Sequence, residues 1–277
     1  MNKIEFNRPE CFDLEDILES GQVFRYEKIN DGFFVYSKDK RILIREEKEK
    51  IFFEGEEKNF DYFYNYFNLD ENVKADFDKL KQAGFPADVL EISKGVRILA
   101  QDIEETIYTF IISQNNNIKR IKNIVSELCI KYGRKVKDCF GEFYSFPTSY
   151  ELSNATVEEL RNIGLGYRDK YIFETSKILS NRPELIEEIK TKNTEEARKL
   201  LITLPGIGPK VADCILLFAF SKRDVFPLDT WMEKVFKERF SDKEKNRIKM
   251  AQKASIEYGN LAGYAQQLYF FHIRKKN

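Results

Sequence analysis

The sequence predicts an α+β fold, in which an N-terminal antiparallel β-sheet domain with helices precedes a mostly α-helical domain. Between residues 23 and 55, short β-branched and aromatic runs alternate with turn signals such as Asn30-Asp31-Gly32, a pattern typical of an antiparallel meander. After this stretch, apolar residues recur at helical spacings of three and four, with few strand-like runs. We place the domain boundary near Ile98, which gives an N-terminal domain over residues 1–97 and a helical domain over residues 98–277.

The helical part is predicted to contain two core helices and two glycine hairpins. Residues 106–113 and 118–133 carry apolar side chains at spacings that bury one face of a helix. Residues 158–172 and 199–215 share a weak internal likeness, since each reads as a helix, a glycine hairpin and a second helix. The aliphatic and aromatic stripes of these helices are explained by the core alone.

The second hairpin is the candidate for an interaction with phosphate. Its first helix is predicted to end near Leu204, and the next helix begins at about Lys210, so that Gly206 and Gly208 allow a tight turn and close backbone approach. Free N–H groups at the start of the second helix, at the positive end of its dipole, would bind a phosphate without reading any sequence. A plain helix–helix turn explains the hairpin equally well.

Composition excludes several classes of enzyme. The single histidine, His272, rules out a Ser-His-Asp triad and a multi-histidine metal site. The cysteines form no CxxC pair, so neither a disulfide framework nor a zinc or iron–sulfur site is predicted. They are Cys11, Cys129, Cys139 and Cys214. Catalysis would therefore rest on Lys, Asp, Glu, Cys or Tyr.

The longest apolar stretch, Cys214 to Phe220, is too short to cross a bilayer, and we expect a cytoplasmic protein.

The charge pattern is neutral overall and basic in one place. A formal net charge of zero argues against binding nucleic acid by bulk electrostatics. Between Ile118 and Lys137, however, seven basic residues face the single acid Glu127. They are Lys119, Arg120, Lys122, Lys131, Arg134, Lys135 and Lys137. This basic stretch would suit phosphates, although a solvated helix face explains it about as well.

Lys210 and Asp229 form the pair that predicts chemistry. Lys210 falls in the first turn of the helix after the second hairpin, where the helix dipole is expected to lower the pKa of its amine and favour the nucleophilic form. Asp229 lies nineteen positions later and opens the next amphipathic helix. Its plain role is that of an N-cap, which also aims the carboxylate rigidly, so that a cap and a catalytic group are compatible.

Six segments together resemble the helix-hairpin-helix-Gly/Pro-Asp DNA glycosylases, and most closely their 8-oxoguanine DNA glycosylase/lyase branch. The resemblance covers nearly the whole chain, and six matches in family order are more specific than any one of them. The segments are SGQVFRY (Ser20 to Tyr26), SQNNNIKRI (Ser113 to Ile121), GLGYRDKY (Gly164 to Tyr171), LPGIGPKVADCI (Leu204 to Ile215), PLDT (Pro227 to Thr230) and GYAQQLYF (Gly263 to Phe270).

The resemblance implies a catalytic pair and a base pocket. It makes Lys210 the nucleophile that attacks C1′ of a flipped nucleotide, and Asp229 the carboxylate that stabilises the positive charge developing on the sugar. It makes the carbonyl of Gly21 the acceptor for the N7–H of 8-oxoguanine, a donor that guanine lacks. Cys214 and Phe270 would sandwich the base, and Gln266 would face its Watson–Crick edge. Taken alone, each of these pocket residues reads as part of the core.

The resemblance also assigns residues to the duplex. Asn115 would fill the space that the lesion leaves, Tyr167 would wedge beside the orphan base, and Arg120 and Arg168 would hydrogen-bond to cytosine. Without the resemblance, the Asn run reads as a helix cap or loop and Tyr167 as an ordinary buried aromatic. The chain departs from many relatives at Trp231, two residues after Asp229, where they carry a histidine near the lesion phosphate.

The resemblance implies action on double-stranded DNA containing 8-oxoguanine, in association with the nucleoid. A monomer is the default expectation. No cofactor or metal is expected, apart from a structural cation that hairpin carbonyls of this family sometimes hold. Two other functions are open: a monofunctional glycosylase for other damaged bases, which would lack Lys210, and a non-catalytic helix-hairpin-helix DNA-binding protein, which would not need the SGQVFRY and GYAQQLYF segments.

Overall fold

The N-terminal part is built on a five-stranded antiparallel sheet in a computed structural model that describes residues 1–240 and 244–276. The strand order is β1-β5-β4-β3-β2. The strands are β1 Asn2–Asn7, β2 Tyr26–Ile29, β3 Gly32–Ser37, β4 Lys40–Glu47 and β5 Lys50–Gly55. The predicted meander is confirmed by β2 to β5. The edge strand β1 was not predicted, because its six residues are mostly exposed and carry no clear alternation.

One face of this sheet carries its own hydrophobic core. Alternate residues of the strands, such as Val35, Ile44 and Phe53, are fully buried, as the period of two requires. Two short helices cover this face through Ile17 and Phe63. They are α1 Leu14–Glu19 and α2 Phe60–Tyr66.

The rest of the described chain is mainly helical. The helices are α3 Val73–Gln82, α4 Ala87–Ser93, α5 Ile103–Ser113, α6 Ile118–Tyr132, α7 Ser149–Ser153, α8 Val157–Leu160, α9 Arg168–Asn181, α10 Glu184–Thr191, α11 Thr194–Ile202, α12 Pro209–Ala219, α13 Thr230–Phe240, α14 Arg247–Tyr258 and α15 Ala262–Lys276. The predicted α+β class is thereby confirmed. In the ranges 1–240 and 244–276, no helix has both the length and the apolar character that crossing a membrane requires.

A second, larger core joins these helices, and it includes α3 and α4. Leu80 and Val89, which precede the predicted boundary at residue 98, are buried in the same cluster as the helices that follow it. Arg223, which follows α12, also forms ion pairs with Glu71, just before α3, and with Asp76 within α3. The division at residue 98 stays a prediction, and the packing places residues 73–96 with the helical layer.

A small hairpin within the helical part was not predicted. Strands β6 Lys135–Asp138 and β7 Gly141–Tyr144 pair with each other and pack beside the larger sheet. Buried Asp138 binds Arg41 of β4, and the ring of Phe140 lies 5.0 Å from that of Phe34. Because these contacts join residues about a hundred positions apart, the sequence pattern of the hairpin alone did not reveal it.

Candidate active site

The second glycine hairpin connects α11 to α12 as predicted. Gly206 has a left-handed φ of +82°, and a Cβ at this position would lie 2.6 Å from the ring of Tyr171, so glycine is required here. Gly208 precedes α12 as its N-cap without a side-chain hydrogen bond, and Pro209 is the first helical residue. The first turn of α12 therefore has no side-chain cap, and its N–H groups are available to an anion.

Lys210 is enclosed at the start of α12, beside Cys214 one turn further on. Its ammonium lies 5.8 Å from the centre of the Phe110 ring of α5 and beside the Cys214 sulfur. Burial acts to lower the pKa of Lys210, but the neighbouring Cys214 sulfur and the Asp229 carboxylate outweigh it, and the net pKa lies above the ordinary value. The prediction of a lowered pKa is therefore wrong for the DNA-free protein, in which the amine is an ammonium at neutral pH.

Cys214 is almost fully buried against Lys210. Burial raises the pKa of its thiol to about 11, although the Lys210 ammonium acts to lower it. At neutral pH Cys214 is thus a thiol and offers an apolar, polarizable surface rather than a second nucleophile.

Asp229 is the N-cap of α13. Its Oδ1 accepts hydrogen bonds from the N–H groups of Trp231 at 3.0 Å and Met232 at 2.8 Å. Among the residues that the structure describes, none donates to Oδ2. The first carboxylate oxygen holds the helix while the second stays open, so the cap role and a catalytic role are compatible as predicted.

Besides Cys214 on α12, the residues predicted for the base pocket come from the Ser20–Gln22 loop and from α15. Gly21 has a left-handed φ of +82°, and an added Cβ would lie 3.0 Å from the Cε1 atom of Phe270. Gln266, one turn before Phe270, is buried, and its Oε1 finds no hydrogen-bond partner. A buried amide oxygen that accepts no hydrogen bond destabilises the folded protein. This atom is therefore suited to a ligand with N–H groups. Phe270 itself is only half-buried.

Four of the residues predicted for the duplex lie at the starts of α6 and α9 and in the loops just before them, and these two places are joined by hydrogen bonds. Asn115 is exposed and has a left-handed φ of +47°. Arg168 is buried and donates to the carbonyls of Gln114, Asn115 and Leu165. Exposed Arg120 donates to the carbonyl of Gly164 at 3.1 Å.

The helix-cap interpretation of the Asn run is confirmed for one member, Asn117, whose Oδ1 accepts a hydrogen bond from the main-chain N–H of Arg120 at 3.0 Å. Tyr167 keeps 55 % of its surface exposed, so its reading as a buried aromatic is wrong. Its ring packs on the guanidinium of Arg168, whose central carbon lies 4.4 Å from the centre of the ring. Trp231 is also exposed, at 48 %, with the Lys234 ammonium 5.1 Å from its ring.

Only part of the predicted basic stretch is available to phosphates. In its C-terminal half three residues form ion pairs, which are Lys131 with Glu159, Arg134 with Glu151, and Lys135 with Glu142. Lys137 is exposed and forms none among the described residues. At the other end, beside Asn115, Lys119 and Arg120 are exposed, and neither has an acidic partner within residues 1–240 and 244–276.

Sequence reasoning missed the residues that hold these loops. Gln114 donates through Nε2 to the carbonyl of Gly206 at 2.8 Å and so joins the α5–α6 loop to the second hairpin. Gln267 and Arg274 of α15 donate to carbonyls of the Ser20–Gln22 loop and of the residue before it. Gln114 and Gln267 both lie within the matched segments, but a glutamine in a motif does not reveal which carbonyl it binds.

No side-chain metal cluster is present among the described residues. At the hairpin, the carbonyls of Leu204, Pro205 and Gly206 already accept from Ile207 N–H, Thr175 Oγ1 and Gln114 Nε2. A carbonyl oxygen has two lone pairs, so one donor does not fill it. The structural cation at the hairpin carbonyls stays a prediction, and no chemical step is assigned to it.

Comparison with known proteins agrees with this arrangement. Residues 108–258 match the family described as HhH-GPD superfamily base excision DNA repair protein, and residues 3–107 match the N-terminal domain of 8-oxoguanine DNA glycosylase. The N-glycosylase/DNA lyase of Saccharomyces cerevisiae is 33% identical over 280 residues, which cover 89% of this chain and 73% of that protein. The 8-oxoguanine glycosylase/lyase of Clostridium acetobutylicum, in complex with double-stranded DNA containing cytosine opposite 8-oxoG, matches with a TM-score of 0.94 and 29% identity over 100% of this chain and 96% of that one. The chain belongs to the HhH-GPD superfamily of base excision DNA repair proteins and carries the N-terminal domain of its 8-oxoguanine DNA glycosylases, as the six sequence segments predicted.

Proposed function

We propose that this protein is a bifunctional DNA glycosylase and AP lyase that excises 8-oxoguanine, preferentially opposite cytosine, in base excision repair. The observation that carries the proposal is the enclosed Lys210 amine, set behind a glycine hairpin and electrostatically coupled to Asp229. A helix-hairpin-helix protein that only bound DNA would place a lysine on the surface, where it could meet a phosphate. A monofunctional glycosylase would not need an amine at this place.

The chemistry follows from the two side chains. The neutral Lys210 amine attacks C1′ of the flipped nucleotide, an N–C1′ bond forms, and the C1′–N9 bond breaks with its electron pair leaving on the base. Asp229 would stabilise, through its open oxygen, the positive charge that builds on the sugar. The sugar ring opens to a Schiff base on Lys210. Loss of a C2′ proton then expels the 3′ phosphate, which nicks the strand on the 3′ side of the lesion.

Lys210 must lose a proton before it attacks. Because its pKa is raised in the DNA-free protein, the neutral amine is a minor species at neutral pH. The departing base needs a proton at the same stage, so transfer from the ammonium toward the base would meet both needs in one step. No metal is required in this sequence.

Selection of 8-oxoguanine is assigned to the Ser20–Gln22 loop and α15. 8-Oxoguanine carries a hydrogen on N7, whereas N7 of guanine is an acceptor. A carbonyl at Gly21 therefore attracts one base and repels the other. The unpartnered Oε1 of Gln266 supports this assignment, since the N1–H and N2–H groups of the base are donors that would satisfy it. Cys214 and Phe270 supply the two faces between which the base would stack.

Selection of cytosine is assigned to the arginines at the starts of α6 and α9. Four hydrogen bonds use four of the five guanidinium N–H groups of Arg168, so that one Nη1–H remains for the orphan base. Arg120 is exposed and makes one hydrogen bond, which leaves most of its donors free. Asn115 would fill the vacated space and Tyr167 would wedge beside the orphan base.

The partner in this proposal is double-stranded DNA in the cytoplasm or nucleoid, engaged by a monomer without a cofactor.

Borohydride trapping tests the proposal. A Schiff base between Lys210 and DNA is reduced to a permanent cross-link, so the wild-type protein should be trapped on a duplex with 8-oxoguanine opposite cytosine. Lys210→Gln should abolish trapping while lesion binding is largely kept. Lys199→Gln on α11, an exposed lysine paired with Glu195, serves as the matched control and should cross-link normally. Wild-type trapping by the Lys210 variant would make another residue the nucleophile, and excision without trapping would make the protein monofunctional.

A further inference from the structure

Three of four consecutive carbonyls around Gly21 are held by side-chain donors. The Nη1 atom of Arg274 donates to Glu19 O at 2.9 Å, and Nε2 of Gln267 donates to Ser20 O at 3.1 Å. On the other side, Nε2 of Gln101 donates to Gln22 O at 2.8 Å. Among the described residues, none donates to the carbonyl of Gly21. The one open carbonyl is thus the one that the proposed function assigns to the lesion.

The loop is also fixed from within. Ser20 and Gln22 are fully buried, and Oγ of Ser20 donates to Ile17 O at 2.7 Å. The Gln22 amide donates to Arg97 O at 2.8 Å and accepts from Leu99 N–H at 2.8 Å. These bonds hold the peptide units on either side of Gly21, so its carbonyl has little freedom to turn.

Helix α15 contributes both the pocket wall and the donors that hold the loop. Gln266 and Phe270 are one turn apart, whereas Gln267 and Arg274 are two turns apart on a neighbouring stripe. The stripes meet at Gly21, where an added Cβ would lie 2.6 Å from Nη1 of Arg274. The Arg274 guanidinium also lies 5.9 Å from the ring of Phe270. Moving the donors would therefore disturb the carbonyl and the wall together.

We propose that Gln267 and Arg274 are positioning residues that set the preference for 8-oxoguanine over guanine by fixing the direction of the Gly21 carbonyl. The inference rests on the proposed function and deepens it. A fixed carbonyl oxygen accepts from the N7–H of 8-oxoguanine and repels the N7 lone pair of guanine, whereas a carbonyl that can turn away does neither. The two residues act on selection of the base. The bond-breaking group, Lys210, lies on another helix.

Two variants test this role. Gln267→Met nearly keeps the size of the side chain and removes its donor. Arg274→Met keeps only the aliphatic stem and removes the guanidinium. Lys276→Met on the same helix, an exposed residue paired with Asp88, is the matched control. Three reactions are measured under single-turnover conditions: excision of 8-oxoguanine, excision of guanine in the same duplex, and borohydride trapping on a duplex with a preformed abasic site. The last reaction bypasses the base pocket.

Each donor variant should lose about tenfold to a hundredfold of its 8-oxoguanine excision rate. Guanine excision should not fall with it, so the ratio of the two rates shrinks, and trapping on the abasic duplex should change far less. Melting curves confirm that each variant is folded, and if Arg274→Met is not, Gln267→Met decides. Variants that keep the wild-type ratio, or that lose abasic trapping as severely as excision, overturn the inference alone. A wild-type protein that neither excises 8-oxoguanine nor traps on abasic DNA overturns the proposed function, and the inference falls with it.

Discussion

Asp229→Asn should separate the helix-cap role of this residue from its role in base excision. The asparagine retains Oδ1, which accepts from the Trp231 and Met232 N–H groups at 3.0 and 2.8 Å. Asn and Asp are comparable N-caps, so the free energy of unfolding should change by no more than a few tenths of a kcal/mol. What is lost is the negative charge that, in the proposed mechanism, stabilises the sugar. Removing one preorganised electrostatic partner costs on the order of a hundredfold in rate, or about 3 kcal/mol.

The same change should affect the two chemical steps differently. Asp229 is one of the groups that raise the pKa of Lys210, so the Asn variant should hold more of its amine in the neutral form at a given pH. Single-turnover excision of 8-oxoguanine is therefore expected to fall by about a hundredfold, while Schiff-base formation on a preformed abasic site falls far less. Asp13→Asn is the control, since Asp13 caps α1 through Oδ1, which accepts from Asp16 N–H at 2.8 Å. Full excision by a normally melting Asp229→Asn protein would reduce this residue to a cap.

Three further predictions concern the opposite base, the pH dependence and the base pocket. Wild-type excision should be fastest opposite cytosine. Arg120→Ala should slow excision from that duplex roughly five- to a hundredfold and from the other three duplexes less, because a donor to the orphan base is lost. Equal wild-type rates on all four duplexes would rule out a cytosine-reading arginine. Trapping on an abasic duplex should rise about tenfold per pH unit between about pH 6 and 9, since the raised pKa of Lys210 leaves the neutral amine scarce throughout this range. A flat profile would mean that the amine is already neutral in the DNA complex, and thus that its pKa is not raised there. Gly21→Ala should destabilise the fold by about 1–2 kcal/mol because φ is left-handed at this position. It should also impair 8-oxoguanine excision more than abasic trapping, because the new Cβ would displace Arg274 and Phe270. Thermal melting and the rates of the two reactions check these expectations.

Local patterns allowed the sequence to predict much of the fold. The meander of β2 to β5 was visible because its alternation and its turn residues are local features, and the α11–α12 hairpin because two glycines interrupt two apolar-periodic helices. Strand β1 and the β6–β7 hairpin were missed for the opposite reason. Strand β1 pairs with β5 across some fifty residues of chain, and β6–β7 is fixed through the contacts of Asp138 and Phe140 with the larger sheet.

The candidate site shows the same division between residue types and their surroundings. Lys210 and Asp229 could be selected from their places at two helix starts. The direction in which the pKa of Lys210 is shifted could not be predicted. Only the fold brings the Cys214 and Asp229 side chains close to this amine, and they raise its pKa more than the other influences lower it. The donors that hold the Ser20–Gln22 loop were likewise hidden, since Gln101 and Gln22 are 79 positions apart and Gln267 and Ser20 are 247 apart.

The neutral net charge of the chain is consistent with a site that recognises DNA mainly through fixed main-chain groups. Arg168 and Gln114 bind carbonyls of the loops that would meet the duplex, and Gln267 and Arg274 bind carbonyls beside Gly21. Each such bond is intramolecular and is already formed before DNA arrives, so the ordering of the loops does not have to be offset by binding free energy. Because long-range charge attracts any duplex equally, it helps association but cannot separate 8-oxoguanine from guanine. A difference of one hydrogen atom at N7 can be read only by an acceptor whose position is fixed in advance, and the structure surrounds the Gly21 carbonyl with the side chains that can fix it.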